Sequence, residues 1–249
     1  MCKPRTYTQE VKQEVHKLLI QEQWSPQQIS GYFKRIGKVT VSHETIYTDI
    51  RWDNVCGSTL WKYCRHKLKH RKKTLNKTLP ILNRISIDQR PPEVDGKRFG
   101  DWEMDTIVGP NNKGAIVTLV EKSRNYLLMG KLPYGKNAKE LAKIVINLLL
   151  PYKSHIRTIT TDNGCEFAAH IEISKKLETQ IFFAHPYSSW EKGAIENMNK
   201  LIRQYIPKHA DLKAFSEEQI KQIQYKINRR PRRKLDFSTP KVEFFKHLS

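Results

Sequence analysis

Cysteine is scarce in this chain: four in 249 residues, at Cys2, Cys56, Cys64 and Cys165. So few, so widely scattered, cannot build a disulfide framework, and a reducing cytosol is the expected setting. Long apolar runs are missing too. The longest, near "IVINLLL" (144–150), falls well short of the roughly 20 residues a membrane span needs. The opening "MCKPRTYTQE" has no apolar core, so it does not read as a secretory signal. Acids are in the minority, with 25 Asp and Glu against 45 Lys and Arg, a formal net charge of +20. That excess favours a polyanion as partner, through phosphate contacts and counterion release. Nucleic acid is the expected partner and no membrane is. At 38% apolar and 28% charged residues, the chain reads as globular, long enough for one large or two modest domains.

Three parts follow from periodicity and turn chemistry. In residues 1–52, "TYTQEVKQEVHKLLIQEQ" places Val11, Val15, Leu18 and Leu19 at helical spacing, with Thr6 and Gln9 as a candidate capping box. "WSPQQISGYFKRIG" predicts a second helix, with Ser25 as N-cap, Pro26 at the first helical position and a stop at Gly37. Ser42 is the N-cap expected for a third, over "VSHETIYTDI". Two short helices around a glycine turn resemble a helix-turn-helix, and the second would present Ser42, His43 and Thr45 near its start, where base edges are read.

Residues 53–95 read as a basic linker. "KYCRHKLKHRKK" (62–73) holds seven Lys or Arg, with Lys67, Lys69 and Arg71 central, and is expected to grip phosphates without sequence preference. Cys56, Cys64, His66 and His70 have the spacing C-x7-C-x-H-x3-H, which is not a common zinc pattern. From 96 to 210, strand patterns ("GDWEMDTIVG", "AIVTLVEK", "NYLLMGKL") give way to alternating helix and strand. This predicts an α/β core: a mixed sheet with helices packed on it. Residues 211–249 read as a helical tail with the basic patch "NRRPRRK".

Candidate acids lie in that core. Asp101, Glu103 and Asp105 sit at i, i+2 and i+4 of one strand, so they share a face and periodicity cannot choose among them. Asp162 ends an apolar strand, just before an Asn-Gly turn; it suits a cleft, and it equally suits plain turn chemistry. Glu191 and Glu196 are five residues apart, about 140° around a helix, so both cannot face one site.

Five motifs in order, "GDWEMDTIVG", "VTLVEKSRNYLL", "TTDNGCEFAAH", "FFAHPYSSWEKGAIENMNKLIRQYIPK" and "NRRPRRKLDFSTPKVEFF", resemble the insertion-sequence-thirty family of bacterial DDE transposases. The likeness extends upstream to "WSPQQISGYF" and "VSHETIY" and covers almost the whole chain. It implies a ribonuclease-H-like core and an acidic triad at Asp105, Asp162 and Glu196, with 33 residues between the last two, the spacing this family is known for. It implies that the triad holds Mg2+ or Mn2+. The chain would cut DNA at terminal inverted repeats and join the 3′-hydroxyl ends to target DNA. Glu103 and Glu191 become ion-pairing residues. Lys192, Glu196, Lys200 and Arg203 recur at spacings of four, four and three, which would array DNA-contacting cations around the ligand. Double-stranded DNA, a homo-oligomer assembled on it, and a cytoplasmic, nucleoid-associated location complete the expectation. Members usually carry a further helix-turn-helix region ahead of the point where this sequence opens. The rival readings are a non-catalytic DNA-binding regulator and another integrase-type nuclease. No N-terminal His-His-Cys-Cys pattern points to a retroviral-type integrase.

Overall fold

A computed structural model describes residues 7–38, 41–64, 81–110, 114–186 and 188–248. These form two compact units: residues up to 64 cluster with Arg229–His247, and residues 81–228 form the second unit.

The first unit is helical. Helix α1 (Gln9–Ile20) starts at Thr8, whose side chain accepts from the Val11 amide, two residues later than the expected cap at Thr6. Helix α2 (Pro26–Arg35) has the expected N-cap, Ser25, and the structure adds a capping box there: Ser25 accepts from the Gln28 amide while the Gln28 side chain accepts from the Ser25 amide. Gly37, at φ +67°, turns the chain just beyond it. Helix α3 (His43–Val55) is capped by Ser42. Val15, Leu19, Ile29, Phe33, Ile46 and Ile50 face inward to a shared core. Asp49, nearly buried, ties α1 to α3: it accepts from Tyr7 Oη at 3.0 Å and pairs with Lys12 and His16, each at 2.6 Å.

Gly31 on α2 has a structural reason. A methyl group there would overlap the ring of Phe237, which this unit receives from the C-terminal segment. Alanine normally gains about 1 kcal/mol over glycine in a helix, but overpacking costs about 1–3 kcal/mol. Gly31→Ala is therefore expected to lower the melting temperature. The double variant with Phe237→Ala should lose less than the sum of the two single changes, a coupling measurable in a mutant cycle.

The second unit is α/β, a mixed six-stranded sheet with helices packed on it, as the sequence predicts. Strands β2 (Asp101–Val108), β3 (Ala115–Glu121) and β4 (Tyr126–Leu132), the three consecutive strands the sequence predicts, form an antiparallel meander. Strands β5 (Thr158–Thr161) and β6 (Gln180–Phe183) then extend the sheet parallel to β2. A two-residue strand β1 (Ile85–Ser86), inside the stretch that reads as linker, pairs with β6, giving the order β1-β6-β5-β2-β3-β4. Helix α4 (Ala138–Leu149), capped by Asn137, packs on β4 and on α5 (His170–Leu177). Helices α6 (Gly193–Tyr205) and α7 (Glu217–Asn228) share a core with Ile107, Ile116, Val120, Leu127 and Met129. Helix α8 (Pro240–Leu248) ends the described chain. Among the described residues no helix is long and apolar enough to cross a membrane.

Candidate active site

The sheet order places β2 beside β5, so an acid on β2 and an acid just past β5 can meet. The three acids of β2, indistinguishable by periodicity, are separated by their partners. Asp101 is fully buried in a fork from Arg98, with Nε at 2.9 Å and Nη2 at 2.8 Å, and also accepts from Thr158 Oγ1 at 2.7 Å. Glu103, 1% exposed, pairs with Lys122 Nζ at 3.1 Å and accepts the Ile195 amide at 2.8 Å. Asp105 turns to a different group. Its Oδ2 accepts from Asn199 Nδ2 at 2.7 Å, its Oδ1 accepts the Thr106 amide at 2.9 Å, and Lys192 Nζ lies 3.7 Å from Oδ1.

Lys192 joins two of the predicted residues. Its ammonium also donates to Asp162 Oδ2 at 3.1 Å. Asp162 caps its own turn, accepting the Gly164 amide on Oδ1 at 2.9 Å, which fixes the carboxylate where β5 ends. Lys192 is only 5% exposed, so it sits inside the acidic pair rather than on an open cationic face. Burial is the main force on the Asp105 carboxyl and raises its pKa; Lys192 opposes this, while Asp162 and Glu166 add to it.

Glu196 lies in the first turn of α6, one turn before Asn199 and on the same face. Among the described residues no three His, Cys, Asp or Glu side chains gather closely enough to hold one ion. The structure thus brings Asp105 and Asp162 together through Lys192, while Glu196 stands one helical turn before Asn199, the residue that bonds to Asp105.

Several neighbours of the pair carry little or no signal in the sequence. Asn199 links Asp105 to Thr118, whose hydroxyl donates to Asn199 Oδ1 at 3.3 Å and to the Asp105 carbonyl at 3.2 Å. A polar residue three beyond Glu196 on an amphipathic helix was the available signal. Glu166, also buried, accepts from Thr106 Oγ1 at 2.7 Å and pairs with Lys136 Nζ at 2.8 Å. Nothing in the sequence joins positions 136 and 166.

The expected DNA contacts are placed as follows. Ser42 and Thr45 bond to each other at the start of α3, with the Ser42 hydroxyl accepting the Thr45 amide at 3.1 Å. His43 is exposed, 3.5 Å from Glu44 and edge-on to Tyr47. Lys200 is exposed. Arg203 is half-buried, which lowers its pKa, and donates to the Pro207 carbonyl at 3.4 Å. Lys67, Lys69 and Arg71 lie outside the described residues.

Glu191 forms the expected ion pair. It accepts the His185 amide on Oε2 at 2.8 Å and meets His185 Nδ1 at 2.8 Å, while His185 Nε2 meets Asp88 at 3.0 Å. Bonding to Glu191, then to Asp88, raises the His185 pKa. A group raised in the folded state contributes stability fully below its unfolded value, about 6.5, and loses it as pH climbs through the folded value. The wild-type melting temperature is therefore expected to decline across that window, and the decline should shrink in Glu191→Gln.

No protein-family model matches the chain. Curated proteins do. The chain is 46% identical over 230 residues to a transposase for insertion sequence element IS4351 from Bacteroides fragilis, covering 91% of this chain and 70% of that one. It is 34% identical over 241 residues to a transposase for insertion sequence element IS1086 from Cupriavidus metallidurans, covering 89% and 68%. It is 31% identical over 244 residues to transposase InsI for insertion sequence element IS30A from Escherichia coli, covering 91% and 63%. Among solved structures, the catalytic core domain of BIV integrase is similar at 20% identity and a TM-score of 0.45, covering 60% of this chain and 95% of that one.

Proposed function

The chain belongs to the IS30 family of insertion-sequence transposases, and from that premise we propose that it cuts DNA at the terminal inverted repeats of its element and joins the freed 3′-hydroxyl ends to target DNA. The observation that carries the chemistry is the meeting of Asp105 and Asp162 on one cationic nitrogen, at 3.7 and 3.1 Å. Two hard oxygen donors flank a position that already holds positive charge, a donor set that fits Mg2+ or Mn2+. Asp105 and Asp162 would hold the ion, with Glu196 as the third ligand. When bound, the metal supplies charge neutralisation at the scissile phosphate and acidifies the attacking water.

The chain's own residues do the rest. Asn199 holds Asp105 in one rotamer through its amide. The Gly164 amide does the same for Asp162. In the first step a water oxygen attacks phosphorus, the bond to O3′ breaks, and O3′ leaves protonated as the element's terminal hydroxyl. In the second, that hydroxyl loses its proton and attacks a target phosphorus, releasing a target 3′-oxygen. Neither step needs a covalent protein–DNA intermediate, so no Ser or Tyr nucleophile is required.

Around this core, residues 1–52 would bind DNA through α2 and α3, with His43 exposed at the start of α3 for base contact. The basic stretch within 53–95 would add phosphate contacts, and residues 96–210 would carry the catalysis. Joining two ends requires a dimer or larger assembly on DNA. The test is supercoiled plasmid bearing the inverted repeats, incubated with the protein. Cleavage in Mg2+ or Mn2+ and none in EDTA is expected. Binding without cleavage in any metal would instead identify a non-catalytic regulator.

A further inference from the structure

Trp190 is 75% exposed, an unusual position for the largest apolar side chain. It belongs to the short 3-10 turn Ser189–Lys192 that leads into α6. Both residues that follow it are anchored. Glu191 is bonded twice to His185, and its amide donates to the Ser188 carbonyl at 3.1 Å. Lys192 is buried between Asp105 and Asp162. The indole therefore stands in solvent on a fixed backbone. Two residues span at most about 7 Å, so Trp190 is rooted within that reach of the lysine that touches both acids.

We propose that Trp190 is a stacking platform for an unpaired nucleobase beside the phosphate that is cut. The proposal rests on the functional reading above. The occupant is argued from three features. The chain carries a net charge of +20, so the backbone of a nucleic-acid strand is drawn to it. A flat indole offers its face to any base and gives affinity without sequence preference. A single exposed ring on a polar turn is too small for a protein interface, which needs hundreds of square ångströms per partner. Cutting near a duplex end exposes bases that have lost their neighbours, and a fixed ring would hold such a base out of the path of the strand being cut. The platform would therefore favour frayed or nicked ends over continuous duplex.

The test uses the full chain in EDTA, which separates binding from cleavage. The probes are a blunt DNA duplex and the same duplex with a short single-stranded overhang carrying 2-aminopurine. Wild-type protein is expected to quench the overhang fluorescence. Trp190→Ala should restore the emission and bind the overhang about tenfold more weakly, the size of one base stack. Its affinity for blunt duplex and its melting temperature should match wild type. Trp190→Phe should recover part of the quenching. Equal quenching by wild type and Trp190→Ala, or none by either, would overturn the proposal. So would a Trp190→Ala protein that quenches normally but sediments as a smaller assembly, since the ring would then serve a protein contact. Failure of the functional reading looks different: the wild-type protein would quench the overhang yet cut no plasmid in Mg2+.

Discussion

Asp105→Asn and Asp162→Asn proteins are expected to bind DNA as the parent does and to cut it about a thousandfold more slowly in Mg2+. Each change removes a negative oxygen donor from the pair that would hold the metal. Metal neutralisation of a phosphoryl transition state is worth several kcal/mol, and each 1.36 kcal/mol is tenfold in rate. Stability should not follow activity, because Lys192 keeps one carboxylate partner in either single variant. Glu196→Ala should lose cleavage to a similar extent. Single-turnover cleavage of end-containing DNA, set beside a melting curve, checks all three. Near-normal cutting by Glu196→Ala would remove it from the triad, and near-normal cutting by Asp105→Asn would remove the assignment of the site.

Glu103→Ala is expected to have the largest effect on stability. Helix α6 begins without a side-chain cap from its own flank. Glu103 reaches across from β2 to accept the Ile195 amide, and so places a negative charge at the helix N-terminus, where the dipole favours it. The same carboxylate pairs with Lys122, which is 11% exposed. Removing it takes one carboxylate from a nearly buried ammonium and uncaps α6, a cost of about 3 kcal/mol. At a few degrees per kcal/mol for a chain of this size, that is a fall in melting temperature of about 10 °C. Glu103→Gln keeps an acceptor for the amide and should fall about half as far. Because α6 carries both Glu196 and Asn199, cleavage by the folded fraction of Glu103→Ala should also drop. Urea titrations and cleavage assays on the same preparations separate the two effects.

What could be read from the sequence followed local rules. The Ser25 and Ser42 caps and the three consecutive strands β2, β3 and β4 depend on residues a few positions apart, and they stand where the pattern puts them. Helix α6 begins at Gly193, after a 3-10 turn, although the helical pattern runs on from Ser189. There Lys192 and Glu191 bond to distant groups, and those bonds override the local preference. Strand β1 escaped notice because two residues carry no periodicity; only its pairing with β6 makes it a strand. Among the acids, sequence could place Asp101, Glu103 and Asp105 on one face and no more. Arg98, Lys122 and Asn199 distinguish them, and the latter two come from other elements. At Asp162 the two competing readings coincide, since the bond to the Gly164 amide both forms the turn and aims the carboxylate. Spacing alone groups Lys192 with a cationic helix stripe, whereas its partners lie on β2 and beyond β5.

The return of Arg229–His247 to the first unit sets an order of events on the ribosome. The core of α1, α2 and α3 uses only residues made early. The place beside Gly31 that Phe237 fills, however, waits until residue 237 has been made, about two hundred residues later. At several residues per second, an early helical unit spends many seconds with that side bare. A prematurely terminated product that still contains every residue of the Asp105–Asp162 pair would lack its far end. Loss of residues 229–247 is thus felt in a unit laid down about two hundred residues earlier, and that unit matures only after residue 247 has been made.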